Sequence, residues 1–256
     1  MDAAQLLLAA VSGGVVALFL TVFGGGGSVL ALPLLLYVVG VRDPHVAIGV
    51  SAAGVSLNAL TALAGQARVG RVRWPCALTF ALFGATGAWF GSSFAKTIDG
   101  ERLLLFFAVA MAVVGLAMLR PVKNEGSAAV RLSPRMAPRV ALSGAGVGAV
   151  AGFFGIGGGF LIVPGLMGAT GMTLALAQAA SLVSVAAFGA TTAVNYSLSG
   201  LVSWPLVVAM TIGGVVGTAV GLPVAHRLGA NAALGRRLFA GLIIGVAIYV
   251  AARAVF

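Results

Sequence analysis

Two stretches of clustered glycine interrupt otherwise apolar segments of this chain. One reads Phe23-Gly24-Gly25-Gly26-Gly27-Ser28 and closes at Pro33; the other reads Phe154-Gly155-Ile156-Gly157-Gly158-Gly159 and closes at Pro164, with the same Phe-to-Pro spacing. A helix that restarts after such a break turns unpaired N–H groups and the positive end of its dipole toward whatever fills the gap. That end favours an anion by about 0.3–1 kcal/mol when exposed and up to ~2 kcal/mol when partly buried. Two such ends facing each other would hold a small oxyanion without a buried arginine. The candidate cradle is Gly24, Gly25, Gly26, Gly27 and Ser28 on one side and Gly155, Gly157, Gly158 and Gly159 on the other, with the Ser28 hydroxyl as an extra donor on the first side alone. The competing explanation is that glycine simply lets helices approach closely; the matched spacing and the shared proline favour binding.

Neutral donors follow each cluster. Ser51, Ser56, Asn58 and Thr61 lie on the helix after the first cluster, and Gln178, Ser181, Ser184, Thr191, Thr192 and Asn195 on its counterpart. Ser51, Asn58 and Thr61 recur at helical spacing and share a face, where they could replace an anion's hydration. The alternative is that each hydroxyl bonds a carbonyl one turn back. Ser51 and Ser181, equivalent across a repeat, and Asn58 and Gln178, costlier to leave idle, rank highest as substrate-binding residues. The acids Asp2, Asp43, Asp99, Glu101 and Glu125 all fall in loops or at helix ends, which leaves no carboxylate at mid-membrane for a cation or a proton relay. No metal or cofactor is expected. His45 and His226 fall near helix ends, and no catalytic constellation forms, so an enzyme or an assembly subunit is a remote alternative.

These residues must be positioned by helices in a bilayer. The chain is 61% hydrophobic and 8% charged, with a mean hydropathy of +1.13, and apolar runs long enough to span recur throughout. A net charge of +10 comes from Lys and Arg scattered over short loops without aromatic interleaving, which argues for membrane topology and against nucleic acid. The single cysteine, Cys76, rules out an internal disulfide and reads as a packing residue.

The repeat extends beyond the glycines, with one residue of slack. Ser51, Thr61, Gly70, Trp74, Pro75, Gly84, Gly87 and Gly91 match Ser181, Thr191, Gly200, Trp204, Pro205, Gly214, Gly217 and Gly221. The expected organisation is an N-terminal repeat, 1–120, a basic cytoplasmic linker, 121–137, and a C-terminal repeat, 138–256. Each repeat carries a helix, the glycine break, a short helix ending near Gly40 or Ala169, and three longer helices. The break either interrupts one span, which gives parallel repeats of four crossings each, or tips a hairpin, which inverts the repeats. With hairpins and an outer N-terminus, Arg68, Arg71, Arg73, Arg120, Lys123, Arg131, Arg135, Arg139, Arg227, Arg236 and Arg237 fall inside. Only Arg42, Lys96, Arg102 and Arg253 fall outside, so the excess of inner Lys and Arg favours an all-α polytopic protein of inverted repeats.

On the two glycine motifs, the serine-bearing helices, the Trp-Pro pairs and the basic linker, the chain resembles the TauE/SafE sulfite exporter family of membrane transporters over essentially its whole length. The resemblance implies a carrier of sulfite or organosulfonate anions in the bacterial inner membrane. The expected partners are a small sulfur oxyanion and the lipid bilayer, with no nucleic acid, and a homo-oligomer left open. The expected mechanism is alternating access, with the halves rocking about the glycine tips and Gly84, Gly87, Gly91, Gly213, Gly214, Gly217 and Gly221 as sliding surfaces. An uncoupled anion channel is the alternative.

Overall fold

A computed structural model describes residues 2–68, 70–119, 126–127, 130, 132–155, 159–228, 240–241 and 243–250. Its described elements are helical: α1 (Ala3–Phe23), a 3-10 segment (Gly24–Leu30), α2 (Ala31–Tyr37), α3 (Pro44–Arg68), α4 (Trp74–Ala95), α5 (Gly100–Leu119), α6 (Ala137–Phe154), α7 (Gly159–Thr170), α8 (Leu174–Leu198) and α9 (Trp204–Leu228). Residues 243–250 are helical as well. Backbone polar groups have no water to bond in hydrocarbon, so helices are what this composition must form. Among the described residues, five candidate spans are long and apolar enough to cross a membrane, and Ala3–Tyr37 is one of them. Large apolar side chains such as Leu82, Phe90, Leu142, Leu198 and Val216 remain exposed on their outer faces, as lipid contact requires. The chain is a multi-pass membrane protein.

Helix boundaries follow local chemistry. Trp74-Pro75 opens α4 and Trp204-Pro205 opens α9; proline in a first turn loses no helical bond, because its missing N–H has no partner there in any case. At each glycine cluster one residue takes a left-handed conformation, Gly24 at φ 67° and Gly155 at φ 64°. These are equivalent positions, and a side chain at either would be strained. The chain turns back there. A methyl added to Gly27 would land on the backbone of Phe19 and Leu20 in α1, and the Ser143 hydroxyl of α6 donates to the Gly165 carbonyl of α7 at 3.3 Å. A straight helix would separate Ser143 from Gly165 by roughly 33 Å, so α7 folds back along α6.

The first cluster departs from expectation. Rather than an abrupt α-helical start, Gly24–Leu30 forms a 3-10 helix, fully buried, and α2 begins only at Ala31. In the second half α7 begins at Gly159.

Glycine seams join the helices, and they join one half to the other. A methyl at Gly13 would strike the Met210 carbonyl, and one at Gly217 the Gly14 carbonyl, which packs α1 on α9. Likewise Gly144 lies on Phe80, Gly148 on Gly84 and Gly152 on Ala88, which packs α6 on α4. These contacts advance together along both partners, so α1 runs parallel to α9 and α4 parallel to α6. The register of α3 on α9 is also parallel, through Gly54 at Met210, Asn58 at Gly214 and Gly65 at Leu222. Between α3 and α8 the sense reverses: the Ser56 hydroxyl donates to the Ala186 carbonyl at 2.7 Å, while Gly189 lies against Ala52. The result is two bundles of three helices, α1-α3-α9 and α4-α6-α8, joined where α3 crosses α8. Each bundle borrows one helix from the opposite half. Of the glycines expected to slide, Gly87, Gly91, Gly213 and Gly217 lie against backbone carbonyls and Gly84 and Gly214 against the Phe188 and Asn58 side chains, and the bundles rather than the sequence halves are the packed units.

The outer helices close the periphery. Residues 243–250 pack against Gly115 of α5 through Ile243 and Ile244 and against Tyr37 through Tyr249, ring centroids 5.1 Å apart. Of the linker 121–137, residues 121–125, 128, 129 and 131 lie outside the described residues.

Candidate functional site

The glycine tips meet at the centre of the bundle interface. A methyl on Gly25 would lie 2.7 Å from the Gly159 Cα, and one on Gly159 would strike the Gly25 carbonyl, so the two breaks touch backbone to backbone. Around them the post-break helices reach crosswise. Ser181 of α8 accepts the Gly25 N–H at 2.9 Å, and Ser51 of α3 donates to the Gly155 carbonyl at 2.9 Å. Each half thus supplies the serine that holds the other half's break.

The same reciprocity governs packing. Gly24 lies on Gln178, its absent methyl 2.7 Å from the Gln178 carbonyl, and Gly155 lies on Ile48; Ile48 and Gln178 are equivalent in the register that aligns Ser51 with Ser181. Ile48 is a contact that sequence reasoning missed, since an isoleucine in an apolar helix carries no signal.

The serines are not used alike. Ser181 donates its proton to the Gln178 carbonyl at 2.7 Å, which leaves a lone pair for the Gly25 amide. Ser51 has two acceptors for one proton, the carbonyls of Ile48 at 3.0 Å and Gly155. Bonding one turn back and bonding across the site are both present in each serine. The Ser28 hydroxyl, expected to face a ligand, donates instead to the Gly25 carbonyl at 2.8 Å. The Gly25 amide is taken by Ser181 and the segment's later turns run as a 3-10 helix, so the first cradle is closed by Ser181 and by its own carbonyls.

Thus Gly24, Gly25, Gly26, Gly27, Ser28, Ser51, Gly155, Gly159, Gln178 and Ser181 come together, all on or against the two breaks. Gly157 and Gly158 lie outside the described residues. Asn58 is set apart, about 10 Å along α3 from Ser51 by helical rise, and it rests on Gly214 of α9.

Other polar residues have structural work. Asn195 ties α8 to α4, its amide nitrogen 3.1 Å from the Trp89 carbonyl, 2.9 Å from Ser92 Oγ and 2.7 Å from Ser93 Oγ. Thr61 Oγ1 donates to the Asn58 carbonyl at 2.7 Å and lies 3.2 Å from Thr218 Oγ1. Thr191 donates to Ala187 at 2.9 Å. At the far end of α8, Lys96 Nζ donates to Ser199 Oγ at 2.8 Å and the Asn195 carbonyl at 3.3 Å, and it lies 5.9 Å from the Tyr196 ring centre. His45 Nε2 faces the Ile98 carbonyl at 3.1 Å. Because a carbonyl only accepts, that nitrogen carries the proton.

Residues 9–250 match the sulfite exporter TauE/SafE family. The chain belongs to that family. Among similar proteins is a "Probable membrane transporter protein" of Xylella fastidiosa (strain Temecula1 / ATCC 700964), 46% identical over 98% of this chain and 96% of its own length. Another is the "Probable membrane transporter protein YdhB" of Bacillus subtilis (strain 168), 25% identical over 77% of this chain and 80% of its own. No solved structure matches. As a TauE/SafE protein, the chain is a membrane transporter.

Proposed function

We propose that this protein is a secondary transporter of small sulfur-containing anions, sulfite or organosulfonates, in a bacterial inner membrane, working by alternating access about a site built from both inverted repeats, 1–120 and 138–256. The observation that carries the reading is the crosswise pair of serine bonds, Ser181 to the Gly25 amide and Ser51 to the Gly155 carbonyl. In the closed arrangement the Ser181 oxygen stands where an oxyanion's oxygen would accept the Gly25 N–H. Substrate takes over that amide, and the displaced hydroxyl then donates to the anion. The exchange replaces two neutral hydrogen bonds, Gly25 N–H to Ser181 and Ser181 to the Gln178 carbonyl, by two to a charged acceptor, each roughly twice as strong.

Inversion is supported by helix direction. Equivalent helices α3 and α8 cross antiparallel, and the parallel pairings of α1 with α9 and α4 with α6 fit the same relation. With the N-terminus outside, the linker 121–137 is cytoplasmic. The moving bodies in this reading are the two three-helix bundles, pivoting where Ser56 meets Ala186.

The test is flux in proteoliposomes, with sulfite, sulfate, thiosulfate and short sulfonates offered to purified protein. Saturable sulfite or sulfonate transport that Ser181→Ala and Gly158→Leu abolish in folded protein supports the reading. Unchanged kinetics in both variants overturns it.

A further inference from the structure

We propose that the Asn58 amide, seated on Gly214, is a second station for the transported oxyanion, one that recognises it in singly protonated form. The inference rests on the anion-transport reading above and adds a residue role to it.

Asn58 is fully buried, and neither its Nδ2 nor its Oδ1 has a hydrogen-bond partner. It lies near the middle of α3 (Pro44–Arg68), a candidate membrane span, where water is scarce and an idle amide is costly. Ser12, Ser184 and Thr192 also carry buried hydroxyls without partners. Those are single rotatable hydroxyls, whereas Asn58 leaves two polar atoms idle, an NH2 with two N–H donors and a separate carbonyl acceptor.

Packing does not require the amide. Asn58 occupies a hollow that exists because residue 214 is glycine: a methyl there would strike its Oδ1 and Cγ and lie 2.5 Å from Nδ2. In the aligned register Gly84 makes the same hollow in the other bundle, and there Phe188 fills it, its ring stacked on Phe80 at 6.1 Å. The scaffold therefore accepts an apolar side chain at this place. One bundle carries a well-packed ring and the other an unsatisfied amide at the equivalent site.

The chemistry of the amide selects its ligand. Nδ2–H donates and Oδ1 accepts along one edge, which matches an edge bearing one bare oxygen and one O–H, as in hydrogen sulfite. A fully deprotonated oxyanion or an alkyl sulfonate has nothing for Oδ1 to accept. One turn further along the same seam lie the hydroxyls of Thr61 and Thr218. The seam then ends at Arg68, the last residue of α3, so the station lies between the glycine tips and that basic end.

The test uses the full-length protein in proteoliposomes, with labelled sulfite as the probe and methanesulfonate as a competitor lacking an O–H. Asn58→Leu is expected to fold with an unchanged or higher Tm, to keep sulfite binding in a scintillation proximity assay, and to lose at least tenfold in flux. Asn58→Ala, smaller and free of any overpacking, is expected to lose flux to the same degree. Wild-type protein is expected to prefer sulfite over methanesulfonate, and Asn58→Leu to lose that preference. Wild-type flux in both variants, or an unaltered preference, overturns the station while leaving the glycine tips in place. Absence of sulfur-anion flux in wild-type protein overturns the anion reading itself, and this inference with it.

Discussion

The Ser181 hydroxyl accepts the Gly25 amide across the bundle interface at 2.9 Å and passes its own proton to Gln178. Ser51, its equivalent, touches a carbonyl rather than an amide. Removing the two serines therefore has unequal effects. Ser181→Ala strands a buried N–H, at about 1–3 kcal/mol. Ser51→Ala leaves a carbonyl with weaker needs and is expected to cost about 1 kcal/mol. Thermal unfolding in detergent orders the two, and the reverse order would contradict the assignment of donor and acceptor.

The tip contact tolerates no side chain. Gly159→Ala drives a methyl into the Gly25 carbonyl and is expected to destabilise by roughly 1–3 kcal/mol through overpacking, with flux lost. Gly146→Ala, on α6 with nothing within 4 Å, is the control. It is expected to stabilise by about 0.5–1 kcal/mol through helix propensity and to leave flux unchanged.

Two buried asparagines, Asn58 and Asn195, should respond unequally. Asn195 bridges α8 to Trp89, Ser92 and Ser93, so Asn195→Leu is expected to cost about 1–3 kcal/mol. Asn58→Leu is expected to cost nothing. Calorimetry of the purified variants separates a structural amide from an idle one.

The proposed inversion of the repeats makes a labelling prediction. In a background carrying Cys76→Ala, Arg71→Cys before α4 and Gly200→Cys before α9 should react with an impermeant maleimide from opposite faces of the membrane, the first from the cytoplasm. Labelling of both from one face would establish parallel repeats instead.

Much of this architecture is legible in the residues. The glycine clusters mark the breaks because only glycine takes the positive φ of Gly24 and Gly155. The Trp-Pro pairs mark helix starts, and Asp2, Asp43, Asp99 and Glu101 do stand at or beyond helix ends. The crosswise partnership was not legible. Gly25 and Ser181 are distant in sequence, and glycine seams such as Gly148 on Gly84 leave no periodic apolar stripe that names a partner. Nor does the first cluster announce its 3-10 form, since four successive glycines impose no single backbone geometry. Polar type alone also fails to rank Asn58 against Asn195; only the neighbours of each amide separate the idle group from the bonded one.

The exchange of α4 and α9 between bundles makes each repeat an incomplete object. Cut in the linker, the two fragments should fail to persist singly yet recover one another when produced together, since every three-helix unit needs a strand of chain from both genes' worth of sequence. An isolated repeat could complete itself only by lending its fourth helix to a second molecule of its own kind lying the other way up. The present chain has the form expected if such a pair had been fused end to end.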